Sequence, residues 1–379
     1  MANANTLSVV IPQLLAQGLQ ALRQMAIMPN YVNRGYESLA GDKGSTIDVP
    51  IPSAITAQQV SPSYVPPDDT GVVPTKVSIA LDQWWEAPFF LSDKDLIEAM
   101  NGIIPMQASE AVKSLANKVD ADILALYKQT FSASGTPGVT PFGTDTSEFL
   151  TADQLINDTL TPADPRFVVM NSRAKANALG LRAFQDTSYR GDTQGIIKGQ
   201  IGEKLGAVWF MDQNVPSHTA GTWNGAGTTT GTNAAGATTV NLTGGTGSIL
   251  AGDIFTIAGD DQQYVCVTPT GTAPTTAMTI YPGLKKAASS SEVVTVLGAS
   301  DTYRVNMLFH RDAFALATRP FSGADPMGLG TYMSAVDPIS GLTLRLEVSR
   351  QHKRTRFAYD ILYGVKCVRP EFACRMVGE

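Results

Sequence analysis

Thr46-Ile47-Asp48-Val49-Pro50-Ile51 and Thr75-Lys76-Val77-Ser78-Ile79-Ala80-Leu81-Asp82 are two alternating runs that frame a long proline-rich excursion. Alternation of apolar and polar residues is the mark of a half-buried strand. Between the runs, residues 53–74 show almost no apolar periodicity, and Pro52, Pro62, Pro66, Pro67 and Pro74 lie within the stretch or at its edges. Structureless connections beyond about 12–15 residues are usually functional or disordered. Flanked by good strands, this one reads as an arm extended to meet another molecule. That points to assembly rather than catalysis.

Working outward, Trp84-Trp85-Glu86-Ala87-Pro88-Phe89-Phe90 is dense in aromatics. One indole is expected in the core and the other at a subunit contact, where aromatic residues are enriched. Ser92-Asp93-Lys94-Asp95 is a capping-box-like start to a short helix ending near Asn101-Gly102. From Pro105 to Phe131, Ala108, Val112, Leu115, Val119, Ile123 and Leu126 recur at spacings of three or four, which keeps one helical face apolar. Such a helix is roughly 40 Å long, about the span of a domain, and would serve as a spine. Upstream, residues 7–29 read as an N-terminal helix with Ser8 as N-cap and a stripe of Leu14, Leu15, Leu19, Leu22 and Met25.

Composition narrows the classes. The chain has 379 residues, 43% of them hydrophobic, with a mean hydropathy of -0.01, so a substantial core is expected. Charged residues are 16%, below the usual share of about 25%, as suits a surface largely covered by neighbouring subunits. Net charge is -6 and the pI about 5.2, which argues against a binder that works by neutralising phosphates. A container for nucleic acid can still be mildly acidic. Cys266, Cys367 and Cys374 are odd in number and lack CxxC spacing, so reduced thiols are expected rather than zinc or disulfides. The first residues lack a basic signal-peptide region and no run approaches 18 apolar residues, so the expectation is a cytoplasmic, non-membrane chain.

Residues 132–148 form a Gly/Pro/Thr-rich linker. An α/β region follows, with a helix over 151–158, a strand over 166–170, a helix from 172 to about 184 and a strand over 207–211. From Thr219 to Gly252 no residue is charged. Strand candidates at 238–242, 254–257, 264–267, 278–281 and 292–297 are separated by turn signals, as in a small antiparallel barrel. Residues 219–300 therefore read as an inserted all-β domain. A strand over 303–309, a helix over 310–318 and a hairpin of strands 342–348 and 357–365 complete the chain. The hairpin turn, 349–356, is strongly basic. With Arg345, its Arg350, Lys353, Arg354 and Arg356 are candidates for contact with phosphates or a neighbour's carboxylates, set against a solvated tip.

Catalysis has little to work with. His218, His310 and His352 are far apart and none lies in an HExxH pattern. They read as solvated or capping side chains. Asp260-Asp261 reads as a turn between strands. The glycines at 195, 199, 202 and 206 do not spell GxGxxG, and close packing or a flexible loop is their default reading. No catalytic, cofactor-binding or metal-binding residue is assigned.

Several runs carry a family resemblance: Phe167-Val168-Val169-Met170-Asn171; Gly199-Gln200-Ile201-Gly202; Ala251-Gly252-Asp253-Ile254-Phe255-Thr256-Ile257-Ala258-Gly259; Leu308-Phe309-His310-Arg311-Asp312-Ala313-Phe314-Ala315-Leu316-Ala317; and Tyr359-Asp360-Ile361-Leu362-Tyr363-Gly364. Taken in order with the arm, the spine and the insert, they resemble the major capsid (coat) proteins of tailed bacteriophages. These have the Hong Kong 97-like α+β fold, here in the branch with an inserted β-barrel domain. The resemblance implies an N-terminal arm (1–42), an extended loop (43–91) lying over an adjacent subunit, and a peripheral domain (92–148) with spine helix 105–131. It further implies an axial domain (149–218 and 301–340), the inserted β-barrel (219–300), and a C-terminal hairpin (341–379) completing the peripheral domain.

The function implied is a non-enzymatic shell subunit, self-assembling through hexamers and pentamers into an icosahedral capsid around double-stranded DNA. Implied partners are further copies of the chain, a scaffolding protein, a portal, a decoration protein and packaged DNA contacted non-specifically, with assembly in the host cytoplasm. Lys76, Trp84, Trp85, Arg350, Lys353, Arg354 and Arg356 are the candidate subunit-interface residues. Some family members crosslink a lysine to an asparagine. Lys76 lies in the loop region, but nothing local supplies a partner or a catalytic acid, so that chemistry is not carried over. The alternative from another class is a carbohydrate-binding or adhesin module on the Gly/Thr-rich β domain.

Overall fold

The computed structural model describes residues 26–36, 46–51, 75–94, 103–185, 201–224, 227–271, 274–320, 330–336 and 342–379, with the isolated positions Leu15, Ile55, Ala57, Gln59 and Pro62. The expected arm at 53–74 and most of the expected helices at 7–29 and 92–101 lie outside the described residues. The chain mixes helix and sheet.

In chain order the elements are β1 (Thr46–Ile51), β2 (Thr75–Ala80), β3 (Gln83–Ser92), α1 (Ile103–Leu124), β4 (Ser132–Ser134), α2 (Ser147–Asp158) and β5 (Arg166–Met170). Then come α3 (Ser172–Gly180), α4 (Arg182–Gln185), β6 (Gly202–Lys204), β7 (Ala207–Met211), β8 (Ser217–Thr219), β9 (Thr228–Thr229) and β10 (Thr239–Thr243). The remainder are β11 (Ile254–Ile257), β12 (Tyr264–Thr270), β13 (Ala277–Tyr281), β14 (Val294–Val296), β15 (Thr302–His310), β16 (Phe314–Thr318), β17 (Gly330–Val336), β18 (Thr343–Gln351), β19 (Arg354–Cys367) and β20 (Ala373–Gly378).

Two compact units divide the chain. The first comprises Met1–Ala21, Arg34–Leu115 and Ala315–Lys366. In it β1 and β2 pair antiparallel with Ile47 opposite Ile79 and Asp48 opposite Ser78. Ile47, Val49 and Ile79 are buried on one face while Asp48 and Ser78 are exposed on the other, as the alternation dictates. The larger sheet runs β16-β19-β18-β17, with β3 also paired to β19. Phe357, Tyr359, Ile361 and Tyr363 of β19 and Leu344, Leu346 and Val348 of β18 are buried, every second residue of each strand.

The second unit comprises Leu22–Asn33, Ala116–Phe314 and Cys367–Glu379. Its base is a seven-stranded mixed sheet in the order β4-β20-β15-β5-β7-β6, with β8 paired to β15. β5 lies parallel to β7, and β20 parallel to β4. A core of Phe149, Val168, Met170, Phe184, Trp209, Leu308 and Met376 covers one face. Trp209 anchors it, its ring 4.9 Å from Phe149 and 5.1 Å from Phe184.

A second sheet of this unit has the order β14-β11-β12-β13-β10-β9 and its own core around Trp223, Val240, Phe255, Tyr264, Met278 and Ile280. The bridge Thr228↔Val293 joins its two ends. The chain leaves the base sheet at Thr219 and re-enters it at Thr302, and these two residues are register partners.

Some expectations are corrected. The helix expected over 310–318 is instead the end of β15, a 3-10 turn (Arg311–Ala313) and the strand β16. Phe314-Ala315-Leu316-Ala317-Thr318 is buried at every position, and a short apolar run buried on all sides has no period to separate helix from strand. The spine helix runs Ile103–Leu124, followed by a 3-10 turn (Ala125–Gln129) ended by extended Thr130. Residues 26–30 are not α-helical; Pro29 sits in the 3-10 turn Met28–Asn30. The glycine-rich run ends in a tight turn rather than a packed loop. Lys204 pairs with Ala207 across Leu205 and Gly206, whose φ values of +55° and +77° are those of a primed hairpin turn. β3, β4, β6, β8, β9, β17 and β20 were not anticipated as strands; β3 reads in sequence only as an aromatic cluster, and β4 as part of the linker 132–148. The three cysteines are buried, free thiols. Among the described residues no helix is long and apolar enough to cross a membrane.

Candidate subunit interface

The basic hairpin is longer than its sequence suggests. β18 and β19 stay paired out to Gln351↔Arg354, leaving only His352 and Lys353 as the turn, with Lys353 at φ +55°. The expected wide basic turn is therefore mostly strand. Because successive residues alternate faces, Arg345, Glu347, Arg354, Arg356 and Asp360 project from one side. β3 adds Trp84, Glu86 and Phe90 to that side through the pairs Leu362↔Trp84, Asp360↔Glu86 and Arg356↔Phe90.

The charges on this face are mated within the chain. Arg345 grips Asp360 with two nitrogens, Nε to Oδ1 at 2.9 Å and Nη2 to Oδ2. Arg356 donates to Glu86 at 2.6 Å and reaches Glu347 at 3.5 Å. Arg354 donates to Gln351 at 2.7 Å and lies 4.6 Å from the Phe90 ring centroid. Arg350 donates to Asp93 at 2.6 Å in an exposed pair. The three candidate arginines are thus engaged at home, which weakens them as a phosphate-binding patch.

Lys76 is similarly occupied. Its ammonium meets Asp48 at 2.7 Å across the β1–β2 pair. The bond holds the Asp48 carboxyl below its usual range and the Lys76 amine above its own. Both groups stand in water, so salt screens the pair and it fixes geometry more than stability.

The two tryptophans differ from expectation. Neither is in the core: Trp84 is 61% and Trp85 42% exposed. Adjacent on β3, they face opposite sides of the sheet. The Trp84 indole donates to Asp360 Oδ2 at 2.9 Å, with the Arg345 guanidinium 5.9 Å from its ring centre. The Trp85 indole donates to Gln83 Oε1 at 3.1 Å. Their polar ends are satisfied internally while their apolar faces are offered outward, as is Phe90 at 45% exposure. Pro88 occupies a position on β3 opposite Ala358, as proline tolerates on an edge strand. Aromatic faces of this kind are what a protein partner buries. A turn over 349–356 has the same centre as the observed His352-Lys353 turn and sets Arg345 opposite Asp360 in either case. The register of the Arg345–Asp360 grip was therefore legible in the hairpin, and only the pairing of the two charges was missed.

A buried polar junction in the second unit was also missed. Arg375 has no exposed surface. It donates to Thr130 Oγ1 at 3.0 Å, to Thr130 O at 2.6 Å and to Gly252 O at 2.6 Å. Burial lowers its guanidinium to about 10. Beside it Asp253 accepts the backbone N–H groups of Gly221 at 3.0 Å and Leu250 at 2.7 Å through Oδ2. Asp253 Oδ1 lies 2.8 Å from His218 Nε2, and His218 Nδ1 lies 2.9 Å from the Tyr127 hydroxyl. A carboxylate only accepts, so Nε2 carries the proton and in the neutral ring Nδ1 accepts from Tyr127. His218, expected to be solvated, is 3% exposed; His310 caps the 3-10 turn by accepting Asp312 N–H. This junction ties structure together and presents no nucleophile to a cleft. Among the described residues no group of three or more His, Cys, Asp or Glu is placed to hold a metal ion.

No family model matches the chain, and no curated protein matches it. Solved structures do. A chain of the structure "Mycobacterium phage Che8" aligns with a TM-score of 0.53 and 16% identity, over 93% of this chain and 90% of that one. The two share one fold. Further similar chains come from "Capsid structure of the Cyanophage P-SCSP1u", at TM-score 0.47, 12% identity and coverage of 89% and 84%. Another is from "Asymmetric unit of bacteriophage PhiM1 mature capsid", at 0.48, 11%, and 89% and 83%.

Proposed function

We propose that the chain is the major capsid protein of a tailed bacteriophage, a non-enzymatic subunit of the Hong Kong 97-like fold that closes into an icosahedral shell around double-stranded DNA. The observation that carries this reading is the fold shared with the phage Che8 chain over nearly the whole of both. The ordered resemblance of sequence runs to tailed-phage coat proteins supports it independently. So does the outward aromatic edge of β3, where charges are neutralised at home and apolar rings remain for a neighbour.

In this reading the neighbour is another copy, arranged in hexamers and pentamers, and Trp84 and Trp85 lie where copies meet. Scaffolding, portal and decoration proteins, and packaged DNA, are its further partners, and the virion is its location. Residues 219–300 form an inserted β-barrel; the register pair Thr219↔Thr302, the separate core and the Thr228↔Val293 bridge all favour that. The bounds inferred for the arm, the extended loop and the insert are kept. β20 belongs with β15 in the base sheet rather than with the C-terminal hairpin, and β16 and β17 belong with the hairpin's sheet rather than with the axial segment. The comparisons lend no support to a carbohydrate-binding role.

Negative-stain microscopy and analytical ultracentrifugation of the purified protein test the proposal. Capsomer rings or uniform closed particles are expected. A chain that stays monomeric across concentration, salt and crowding would overturn it.

A further inference from the structure

The start of the segment 26–33 is held within the second unit by a buried carboxyl group. Asp120, on α1, is 1% exposed. Its Oδ2 accepts the Ile27 N–H at 3.0 Å and its Oδ1 accepts the Met28 N–H at 3.1 Å. These bonds cap the 3-10 turn Met28–Asn30, whose own N-cap residue, Ile27, supplies no side-chain cap. Beyond the turn Tyr31 stacks on Phe210 at 4.3 Å, and the Asn33 N–H donates to Phe314 O at 3.0 Å.

Asp120 has no cationic partner among the described residues. The charged group that bears on it is Asp212, a second carboxylate, itself buried and bonded to the Asn214 N–H. Taking a carboxylate out of water without a cation is costly, and a like charge adds to the cost. The two amide donors oppose this but do not outweigh it: burial first, then Asp212, push the Asp120 carboxyl from 3.8 up to about 7.

We propose that Asp120 is a pH-operated clasp on residues 26–33, firmest in mild acid and easier to open as its carboxyl ionises towards neutrality. When the clasp opens, the carboxyl meets water and titrates near its ordinary 3.8. The closed form then binds more protons than the open form between about pH 4 and about 7, so the opening equilibrium rises with pH there, by up to about tenfold per unit, and levels off above. The inference uses contacts within one chain and stands whether or not copies assemble.

Hydrogen–deuterium exchange of the full-length protein between pH 5 and 8, with protection corrected for the intrinsic pH dependence of exchange, reads the clasp directly. Peptides covering 26–33 should lose up to about a hundredfold in protection from pH 5 to 7, while peptides of α2 show no such trend. Asp120→Asn should flatten the profile. Asp212→Asn, which removes the like charge without touching the clasp bonds, should shift the loss of protection to lower pH. Protection of 26–33 in the unaltered protein that is constant or rising from pH 5 to 7 overturns the proposal. So does an Asp120→Asn profile as steep as that of the parent. If Asp120→Asn does not fold, an unchanged midpoint in Asp212→Asn is itself decisive against the clasp.

Discussion

Arg375 Nη1 donates to the carbonyl oxygen of Gly252 at 2.6 Å, and through that bond the last strand of the chain holds the β-rich segment that begins beyond His218. The same guanidinium binds Thr130 twice, just past the end of α1. Three stretches far apart in sequence therefore meet on one planar group. A guanidinium suits the task because its donors form a rigid fork. Gly252 suits it too, at φ +98°, a conformation that residues with side chains rarely adopt, with Lys128 and His218 packed close to it.

Arg375→Ala removes three donors and leaves the oxygens of Thr130 and Gly252 buried without them. Each orphaned acceptor costs about 1–3 kcal/mol, and the lost packing adds to it. The expected destabilisation is about 3–5 kcal/mol, read as a lower denaturation midpoint with little change in slope. Arg375→Lys, with one ammonium in place of a fork, should recover only part of it. A midpoint within about 0.5 kcal/mol of the parent for Arg375→Ala would show that the junction carries no weight.

α1 offers a test of a different kind. Ala108, Val112, Leu115, Val119 and Ile123 are all buried, the face that their spacing marks out in sequence. Leu115→Pro removes a backbone donor and clashes with the preceding turn, costing about 3 kcal/mol or more. A sharply lower melting temperature is expected, and an unchanged one would mean that the helix does not run through residue 115.

What was legible in the sequence was whatever had a clean period. Ile47, Val49 and Ile79 alternate because one face of a hairpin is buried, and Val112 to Ile123 recur because one face of a helix is. Phe314 to Thr318 had no such contrast, being buried on every side, and was misread as helix. The candidate interface residues were found by type, but their partners were not. Pairing Arg345 with Asp360 needs only the hairpin's register, which a turn over 349–356 already sets, whereas pairing Arg356 with Glu86 requires β3 to be recognised as a strand beside β19. Arg375 was invisible for a related reason. An arginine between Cys374 and Met376 reads as a surface interruption of a strand until the carbonyls it satisfies are brought to it from residues 130 and 252.

Gln263 makes a prediction that connects the β-rich segment with the sheet edge. Its side-chain amide accepts the Ala133 N–H at 2.6 Å and donates to Ala133 O at 3.0 Å. It pairs both backbone groups as the next strand would, on β4 at the end of its sheet. Gln263→Ala should leave the fold intact but lower the exchange protection of Ala133 by roughly fivefold, as the loss of about 1 kcal/mol implies. Unaltered protection would show that the amide is dispensable there.

The excursion at 53–74 bears on assembly alone if it is an arm. Deleting residues 55–72 should then leave circular dichroism and melting temperature close to those of the parent while closed particles disappear. Normal particles from the deletion would refute the arm.

Trp84 and Trp85 separate assembly from folding at the level of single side chains. Each indole keeps its N–H bonded within the chain while its ring faces out, so truncation removes little core packing. Trp84→Ala also withdraws a donor from Asp360, but Arg345 keeps that carboxylate paired. Subunit stability is therefore expected to fall by no more than about 1 kcal/mol in either variant. Aromatic anchors at the centre of an interface cost about 2 kcal/mol or more when truncated, and a shell repeats that loss at every copy. The expected result is a subunit that melts near the parent yet needs a concentration at least about thirtyfold higher to assemble, measured by light scattering against protein concentration. Equal critical concentrations for parent, Trp84→Ala and Trp85→Ala would place the contact surface elsewhere and leave β3 as an exposed edge with another purpose.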